Sequence, residues 1–418
     1  MVKAYLLVCL LWISMAHAQI QTTPEPPGAL TLPAALALAR AQNSELAAFG
    51  KEAGAAGAVV SQSALLPNPE LSSTWEDVGK PTRSTSLQIS QLIELGGKRA
   101  ARMQAAGFGR DAANAELDAK RLELQTLVVQ AFVDVLSGQR RKQHAEQAVA
   151  LAMQAADAVG QRVAAGKVSP VEETKARLEA ATTRIEAKQA GRELASARQR
   201  LSAFWGNPAP QFTEASGELE LLVAVPSLQQ LLLRAESNPA RNRATTEVAR
   251  RSALLAGEQA KRFPDLTVGA GVKRSTEGRE NLPLITLSMP LPFFDRNQGN
   301  VLAARQQVEK ARDEQAFLDT RLKSELGQTF ARLQAMEMEI NTLRGEILPG
   351  AKSAFDAATL GYQLGKFGFL DALDAQRTLF LSNQQYVRAL AEYHRTVADI
   401  ERLIGEPLNA ERAALMQP

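Results

Sequence analysis

Cysteine and histidine are scarce in this chain of 418 residues. The single cysteine is Cys9, and the three histidines are His17, His144 and His394. With one thiol no disulfide can form within the chain, and neither a cysteine-ligated metal site nor a cysteine nucleophile is expected. His144 and His394 have no second candidate ligand beside them in the sequence. We therefore predict that both are packing residues and that the protein holds no resident metal and no cofactor.

Aromatic residues are also few, at 5%, although 45% of the sequence is hydrophobic and alanine fills long stretches. This composition excludes a wholly disordered chain and is typical of closely packed long helices. The net charge is only +3, which does not indicate a nucleic-acid partner. The sequence contains no G-x-S-x-G, H-E-x-x-H or P-loop pattern, and we predict that the protein is not an enzyme.

Residues 1–18 have the pattern of a secretory signal peptide. Lys3 precedes the apolar segment "AYLLVCLLWISM", and "AHA" at 16–18 forms a small-x-small cleavage site before Gln19. The apolar segment is too short for a membrane-spanning helix. Acylation at Cys9 is the less favoured alternative, because it would leave an apolar segment of about five residues, shorter than signals of this kind use.

The rest of the sequence contains an internal repeat. Short motifs recur in the same order at spacings of 195 to 199 residues, which indicates two copies of one structural unit. We assign the repeats to residues 19–215 and 216–418. The matching motifs are "PNPEL" (67–71) with "RFPDL" (262–266), "AAGKVSPVEE" (164–173) with "QLGKFGFLDA" (363–372), and "FWG" (204–206) with "LIG" (403–405).

Each repeat contains a predicted strand hairpin, at about 70–93 and 265–291. The second copy shows the clearer alternation, with small or polar residues between the apolar ones. Each strand has about nine residues, the length of a tilted membrane-spanning strand, although a soluble hairpin over a core would alternate in the same way. The apolar positions are Leu266, Val268, Ala270 and Val272, then Ile285, Leu287, Met289 and Leu291.

Two hairpins cannot bury their apolar faces alone. Lipid tolerates only closed barrels, because every backbone polar group must be paired there. If the hairpins lie in a membrane, several chains must therefore supply the wall.

A long stretch without proline follows each hairpin, from Gly97 to Ser169 and from Phe293 to Leu348. About 70 helical residues would extend roughly 100 Å, far more than one globular domain. A glycine turn ends each stretch, and we predict helical hairpins at about 97–205 and 297–405. The apolar seams are Leu117, Leu124, Val128, Ala131 and Val135 in the first hairpin, and Phe380, Val387, Leu390, Val397, Ile400 and Ile404 in the second.

A secretory signal, tandem copies, two strand hairpins and very long helical hairpins together resemble the TolC-type outer-membrane channel family. The motifs "LIELGGKRAAR" (92–102) and "PLPFFDRNQGN" (290–300) resemble its CzcC-like branch, which serves cobalt, zinc and cadmium efflux. The resemblance implies a mainly α fold with β, in which four strands per chain contribute to a trimeric 12-stranded β-barrel. A long α-helical coiled-coil tunnel continues that barrel into the periplasm.

The resemblance also implies a function and partners. The protein would be a passive outer-membrane conduit for divalent heavy-metal cations, acting as a homotrimer in outer-membrane lipid. Energy would come from an inner-membrane resistance-nodulation-division-type pump, reached through a periplasmic adaptor protein. The alternatives are a multidrug or protein-secretion conduit, and a periplasmic coiled-coil scaffold with soluble hairpins.

Three groups of residues are candidate sites under this resemblance. Asp371 and Asp374 would form the periplasmic gate, although acidic residues in a first helical turn also meet the helix dipole favourably. The hairpin tips would contact the adaptor, although a tight turn explains their glycines. These tips comprise Arg162, Gly166, Lys167, Val168 and Ser169, and Tyr362, Gly365, Lys366 and Phe367.

The third group forms the two joints between barrel and tunnel. We expect Pro290 and Pro292 to end the last strand, and the phenylalanine pair to lie at the membrane interface. We expect Asp295 and Asn297 to cap the helix that begins near Gln298. The joint residues are Gly96, Gly97, Lys98 and Arg99, and Phe293, Phe294, Asp295, Arg296 and Asn297. With glycine in one and proline in the other, the two joints are expected to bend differently.

Overall fold

A computed structural model describes residues 25–278 and 280–408. The predicted signal peptide at 1–18, with Cys9, lies outside the described residues. The chain is mainly helical, with two strand hairpins at one end. Its elements are β1 (Ala29–Thr31), α1 (Leu32–Gln42), α2 (Ser44–Ser63), β2 (Glu70–Glu76), β3 (Ser84–Ile93), α3 (Lys98–Ala164), α4 (Pro170–Ala203), β4 (Glu214–Ser216), α5 (Leu228–Arg234), α6 (Pro239–Ala260), β5 (Leu266–Ser275), β6 (Asn281–Ser288), α7 (Gln298–Thr342), α8 (Leu348–Gln363) and α9 (Phe369–Ile404).

The two hairpins join into one antiparallel sheet in the order β2-β3-β5-β6. Strands β3 and β5 pair across the two repeats, from Ser84–Ser275 to Ile93–Leu266. Strand β6 ends at Ser288, three residues before the predicted end at Leu291. Its ladder with β5 stops at the pair Thr267–Ser288, close to where β5 itself begins. Both outer strands, β2 and β6, have one edge without a partner strand among residues 25–278 and 280–408.

One face of the sheet, opposite the apolar positions of β5 and β6, carries small and polar side chains. Gln88 crosses this face and donates from Nε2 to Thr286 Oγ1 at 2.5 Å. A side chain at Gly269 would collide with both residues, and one at Gly271 would collide with the backbone of Leu87. Gly269 and Gly271 in "GAGV" therefore leave room for Gln88 and the neighbouring backbone. They are not part of a phosphate-binding loop.

Long helices form the rest of the molecule. Helix α3 has 67 residues, and α2, α3, α6 and α7 pack side by side in that order. Helix α7 continues into α8 through one π-helical turn at Leu343–Ile347, and Pro349 lies in the first turn of α8. Proline lacks an N–H and crowds the preceding turn, and a π turn absorbs that misfit without ending the helix. Among the described helices, none is both long and apolar enough to span a membrane.

The main hydrophobic core is built mainly from buried residues of α1, α3, α7 and α9. Most residues of the predicted seams are buried: Val128 and Val135 of α3 and Val397 and Ile400 of α9 are fully buried. Leu117 and Phe380 are only half-buried. His394 is buried in this core, with Nε2 at 2.8 Å from the carbonyl oxygen of Leu219. A second, smaller cluster lies at the far end of the helices. It comprises Val159, Ala176, Phe369 and Leu373.

A buried carboxylate fixes the beginning of the described chain. Glu25 accepts hydrogen bonds from Trp205 Nε1 (3.2 Å) and Asn207 Nδ2 (2.5 Å), and from the backbone N–H groups of Gln211 (2.8 Å) and Phe212 (3.1 Å). Burial alone would raise its pKa, but these four donors together lower the pKa below its ordinary value. Glu25 thus ties the N-terminal segment to the turn after α4.

We predict that Glu25→Gln lowers the stability of the fold by about 1–3 kcal/mol, because an amide nitrogen would face N–H donors. The measurement is the thermal unfolding midpoint followed by tryptophan fluorescence, since Trp205 touches the site. The lowered pKa means that the carboxylate stabilises the fold above its unfolded pKa, and that this contribution disappears as the pH falls through the folded pKa. The wild type and the variant should therefore converge in acid. Glu218→Gln, on an exposed loop, is the control, and an equal loss in both would contradict the assignment.

Candidate functional site

The first joint connects β3 to α3 through a charged cluster. Lys98 Nζ lies 2.6 Å from Asp265 Oδ1, which also accepts the backbone N–H of Leu95 at 3.0 Å. Partial burial acts to raise the pKa of Asp265, but these two donors lower it overall. The pair links the start of α3 in the first repeat to the start of β5 in the second.

Two arginines fasten the same joint to the end of α2. Arg99 donates from Nε and Nη2 to the carbonyl oxygen of Ala64, at 2.9 and 2.6 Å. Arg102 donates to the carbonyl oxygens of Ser63 and Leu65 and pairs with Glu94, whose pKa it lowers. The last carbonyls of a helix lack partners within the helix, so guanidinium groups satisfy them well. Sequence reasoning named Arg99 but missed Arg102, Glu94 and Asp265.

Both glycines of the first joint adopt left-handed conformations, with φ of 69° at Gly96 and 77° at Gly97. Only Gly96 is also tightly packed. A Cβ there would lie 2.8 Å from the carbonyl oxygen of Ala260 and from Cβ of Phe263, whereas at Gly97 nothing lies within 4 Å. Gly96 is therefore required by contact as well as by backbone conformation.

The second joint differs from the expected capping arrangement, and that prediction is wrong. Asn297 precedes α7 with φ of 58° and makes no side-chain capping bond to the helix. Its Nδ2 instead donates to the backbone oxygen of Glu258 (2.8 Å) and to Glu258 Oε2 (2.7 Å), near the end of α6. Asp295 accepts only the backbone N–H of Asn297, at 2.8 Å. Asparagine tolerates left-handed backbone, which an N-cap residue does not adopt.

The two joints consequently share one conformation at the start of the helix. Gly97 and Asn297 stand 200 residues apart and are both left-handed. The joints differ one residue earlier, because Gly96 is left-handed and Arg296 is not. Phe293 and Phe294 are exposed in the single chain, at 69% and 94%.

The two helical hairpin tips lie next to each other at the opposite end of the molecule. Gly166 and Gly365 close the preceding helices in left-handed conformations, with φ of 69° and 71°, as predicted. Lys167 and Lys366 are exposed beside them. Ser169 caps α4, with its Oγ accepting the N–H of Val171 at 3.3 Å.

Part of the predicted tip surface is used to hold the two tips together. Arg162 lies over the ring of Tyr362, 4.5 Å from its centroid, and donates to the backbone oxygen of Tyr362 at 2.8 Å. Tyr362 in turn packs edge-on against Phe369. Val168 is half-buried against the same cluster. The free surface is therefore narrower than predicted and consists mainly of Lys167, Lys366 and Phe367.

Asp371 and Asp374 are both exposed in the first turns of α9. Asp371 Oδ2 accepts the backbone N–H of Gly368 at 2.9 Å, so Asp371 has a capping role at the start of α9. Arg377, one turn further on, pairs with Glu179 of α4 and connects the two helical hairpins. Among residues 25–278 and 280–408, no group of three or more candidate ligand side chains is arranged to hold a metal ion.

A family profile described as outer membrane efflux protein matches this sequence twice, at residues 35–207 and 231–406. The chain belongs to the outer membrane efflux protein family. One match falls within each predicted repeat, and the family places the chain in the outer membrane with efflux as its role.

Relatives of this efflux protein include two named for metal resistance. The cobalt-zinc-cadmium resistance protein CzcC of Cupriavidus metallidurans is 42% identical over 91% of both chains. The nickel-cobalt-cadmium resistance protein NccC of Alcaligenes xylosoxydans xylosoxydans is 28% identical over 73% of this chain and 69% of its own length. The CmeC outer membrane channel of Campylobacter jejuni has the same fold, with a TM-score of 0.77, 16% identity, and coverage of 90% of this chain and 85% of its own.

We predict that Gly96→Ala destabilises this efflux protein more than Gly97→Ala. Both variants place alanine in left-handed backbone, at a cost of about 1–2 kcal/mol. Only Gly96→Ala adds a collision with Ala260 and Phe263, and overpacking costs about 1–3 kcal/mol more. Thermal unfolding of the detergent-solubilised protein by circular dichroism measures the difference. Gly97→Asn serves as the tolerated control, because Asn297 takes that conformation in the other repeat, and equal losses at Gly96 and Gly97 would refute the packing argument.

Proposed function

We propose that this outer membrane efflux protein is the passive outer-membrane conduit of a tripartite system that exports divalent heavy-metal cations. The observation that carries the proposal is the 42% identity to CzcC over 91% of both chains, a relative named for cobalt, zinc and cadmium resistance. A conduit passes its cargo without keeping it, so it needs no high-affinity ligand cluster. Substrate selection would then belong to the inner-membrane pump.

The sheet supports a trimer as the working unit. Its two edge strands have unpaired backbone groups, and its apolar face is exposed, with Ile285 at 83% and Leu287 at 71%. Exposed edges and an apolar face are stable in lipid only when the sheet closes on itself. Three copies would supply twelve strands, and outer-membrane lipid would cover the apolar face. The helices would continue the wall as a periplasmic tunnel.

The hairpin tips support contact with a periplasmic adaptor. Lys167 and Lys366 stand at the two turns, and Phe367 beside them is 51% exposed. An exposed aromatic ring flanked by cations suits a partner with an apolar ridge and carboxylates. Arg162 and Tyr362 would act indirectly, by holding the two tips in one unit. The inner-membrane pump, of the resistance-nodulation-division type, would supply the energy.

Asp371 and Asp374 support a cation-sensitive gate near the same end. Three copies would bring together six carboxylates from the start of α9. Carboxylates held close together repel one another unless they bind cations or protonate, and acidic rings favour cations in pores. Asp371 would also keep its capping role, so its charge and its hydrogen bond need separate tests.

We predict that Asp371→Asn with Asp374→Asn alters single-channel conductance and weakens block by divalent cations, because the charge of the ring is lost. Asparagine at 371 can still accept the N–H of Gly368, so the helix start is preserved. Conductance of the purified protein in planar bilayers, with and without divalent cations, is the measurement. Asp157→Asn, an exposed carboxylate on α3, is the control. Unchanged conductance and unchanged block would remove both aspartates from the gate.

We predict that deleting this protein's gene sensitises its host to cobalt, zinc or cadmium and that the intact chain restores growth. The deletion strain is tested against these metals, nickel, copper and a panel of drugs, with growth inhibition as the readout. Sensitivity to drugs alone would favour a multidrug conduit and overturn the metal assignment. A soluble monomer in periplasmic extracts would instead support the scaffold alternative.

A further inference from the structure

The segment after β6 has no neighbouring strand in the part of the chain that the structure describes. Met289, Leu291 and Phe293 are 47%, 63% and 69% exposed. Phe293 donates its backbone N–H to Leu291, two residues earlier, at 2.9 Å, which makes a tight local turn. The equivalent segment of the first repeat behaves differently, because residues 89–93 form the end of strand β3.

The internal repeat makes this equivalence exact in position. Ser72 pairs with Gln88 in the first hairpin, and Thr267 pairs with Ser288 in the second. Each residue of β2 therefore corresponds to the residue 195 positions later, in β5. Each residue of β3 corresponds to the residue 200 positions later, in β6 or the segment that follows it. Residues 89–93 thus match residues 289–293. The first set is a strand because β5 lies beside it, and the second set lacks any such neighbour.

We propose that residues 289–293 become strand only when β2 of a neighbouring copy pairs with them, and that the repeat fixes the register of this pairing. This inference rests on the proposed trimer and adds which residues meet. The pairing of β3 with β5, moved by the repeat offsets, gives the pairing of this segment with the next copy's β2. The observed pairs Ile89–Ala270, Gln91–Val268 and Ile93–Leu266 become Met289–Trp75, Leu291–Ser73 and Phe293–Leu71.

The direction of the backbone hydrogen bonds agrees with this register. The backbone N–H of Ser275 donates to the backbone oxygen of Glu280. The N–H and C=O groups of even-numbered residues in β6 therefore point towards β5, and those of odd-numbered residues point towards the open edge. The backbone N–H of Thr276 donates to the backbone oxygen of Arg83. By the same alternation, carried from β5 through β3 to β2, the N–H and C=O groups of odd-numbered residues in β2 point towards its open edge. Odd residues meet odd residues in the proposed pairs, so their N–H and C=O groups can exchange hydrogen bonds.

The prolines fit the same pattern. Pro290 and Pro292 hold even positions, where no N–H is needed by a neighbouring copy. Pro283 holds an odd position and lies opposite Val272 in a pair without backbone hydrogen bonds. The proposed register places Pro283 beyond the end of β2, which stops at Glu76 before the left-handed turn at Asp77. The two prolines within the segment therefore do not oppose the pairing.

The side chains also agree. Odd positions of β2 and β6 lie on the apolar face, so the register aligns Trp75 with Met289 and Leu71 with Phe293. A slip of one residue would turn the apolar side chains of one strand to the other face of the sheet. Slips of two residues keep the faces aligned, and only the repeat symmetry selects among them.

Disulfide cross-linking tests the register directly, because Cys9 is the only native cysteine. The double variant Ser73→Cys with Leu291→Cys places two thiols in a directly opposed pair, about 5.5 Å apart between Cα atoms. Leu71→Cys with Leu291→Cys and Trp75→Cys with Leu291→Cys are matched controls for slips of two residues. Their thiols would be diagonal neighbours, about 7–8 Å apart and out of disulfide reach.

The full-length variants are oxidised with diamide in outer membranes and run on non-reducing gels. We expect disulfide-linked dimers and trimers from the 73/291 pair at a level at least about fivefold above either slipped pair, with none from the single-cysteine variants. Stronger cross-linking of a slipped pair, or none in any pair while heat-modifiable trimers persist, would overturn the register and leave the proposed function intact. Absence of trimers in the unmodified protein would overturn the proposed function itself.

Discussion

The unpaired backbone groups along β2 and β6 are the constraint on which the rest of this structure depends. An antiparallel sheet of four strands is incomplete in lipid, because both edges expose N–H and C=O groups that lipid cannot pair, and in water its apolar face would stay exposed. The sheet joins the two repeats through β3 and β5 and leaves the corresponding outer edges open. In the proposed trimer a single chain is one segment of a wall, and its exposed apolar side chains are ordinary for such a segment.

The two joints connect the sheet to the long helices. Each long helix begins directly after a left-handed residue, Gly97 or Asn297, and each joint is tied to a different helix. In the first joint Lys98 and Asp265 connect the repeats, and Arg99 reaches the end of α2. In the second, Asn297 reaches Glu258 near the end of α6. The joints lie outside the main core, and these contacts are polar. Directional hydrogen bonds can fix the angle between strand and helix more closely than apolar packing can.

The far end of the molecule has its own set of contacts between the two helical hairpins. A small apolar cluster, the Arg162–Tyr362 stack and the Arg377–Glu179 pair connect the first helical hairpin to the second. The π turn at Leu343–Ile347 begins at Leu343, which belongs to the main core. Side chains at the tips therefore divide into those that hold the two hairpins together and those that remain available to a partner. Phe367, packed over Gly361 yet half exposed, belongs to both groups.

The sequence by itself determined the signal pattern, the repeat, the strand hairpins, the long helices with their seams and the glycine turns, because periodicity and turn chemistry are local properties. It also named Gly96, Lys98 and Arg99 as joint residues. Only the tertiary structure decided what those residues contact. The partnership of Lys98 with Asp265 spans 167 positions, and the stacking of Arg162 on Tyr362 spans 200. The role of Asn297 was misjudged for the same reason, since a capping residue and a left-handed residue look alike until the neighbouring helix is in place.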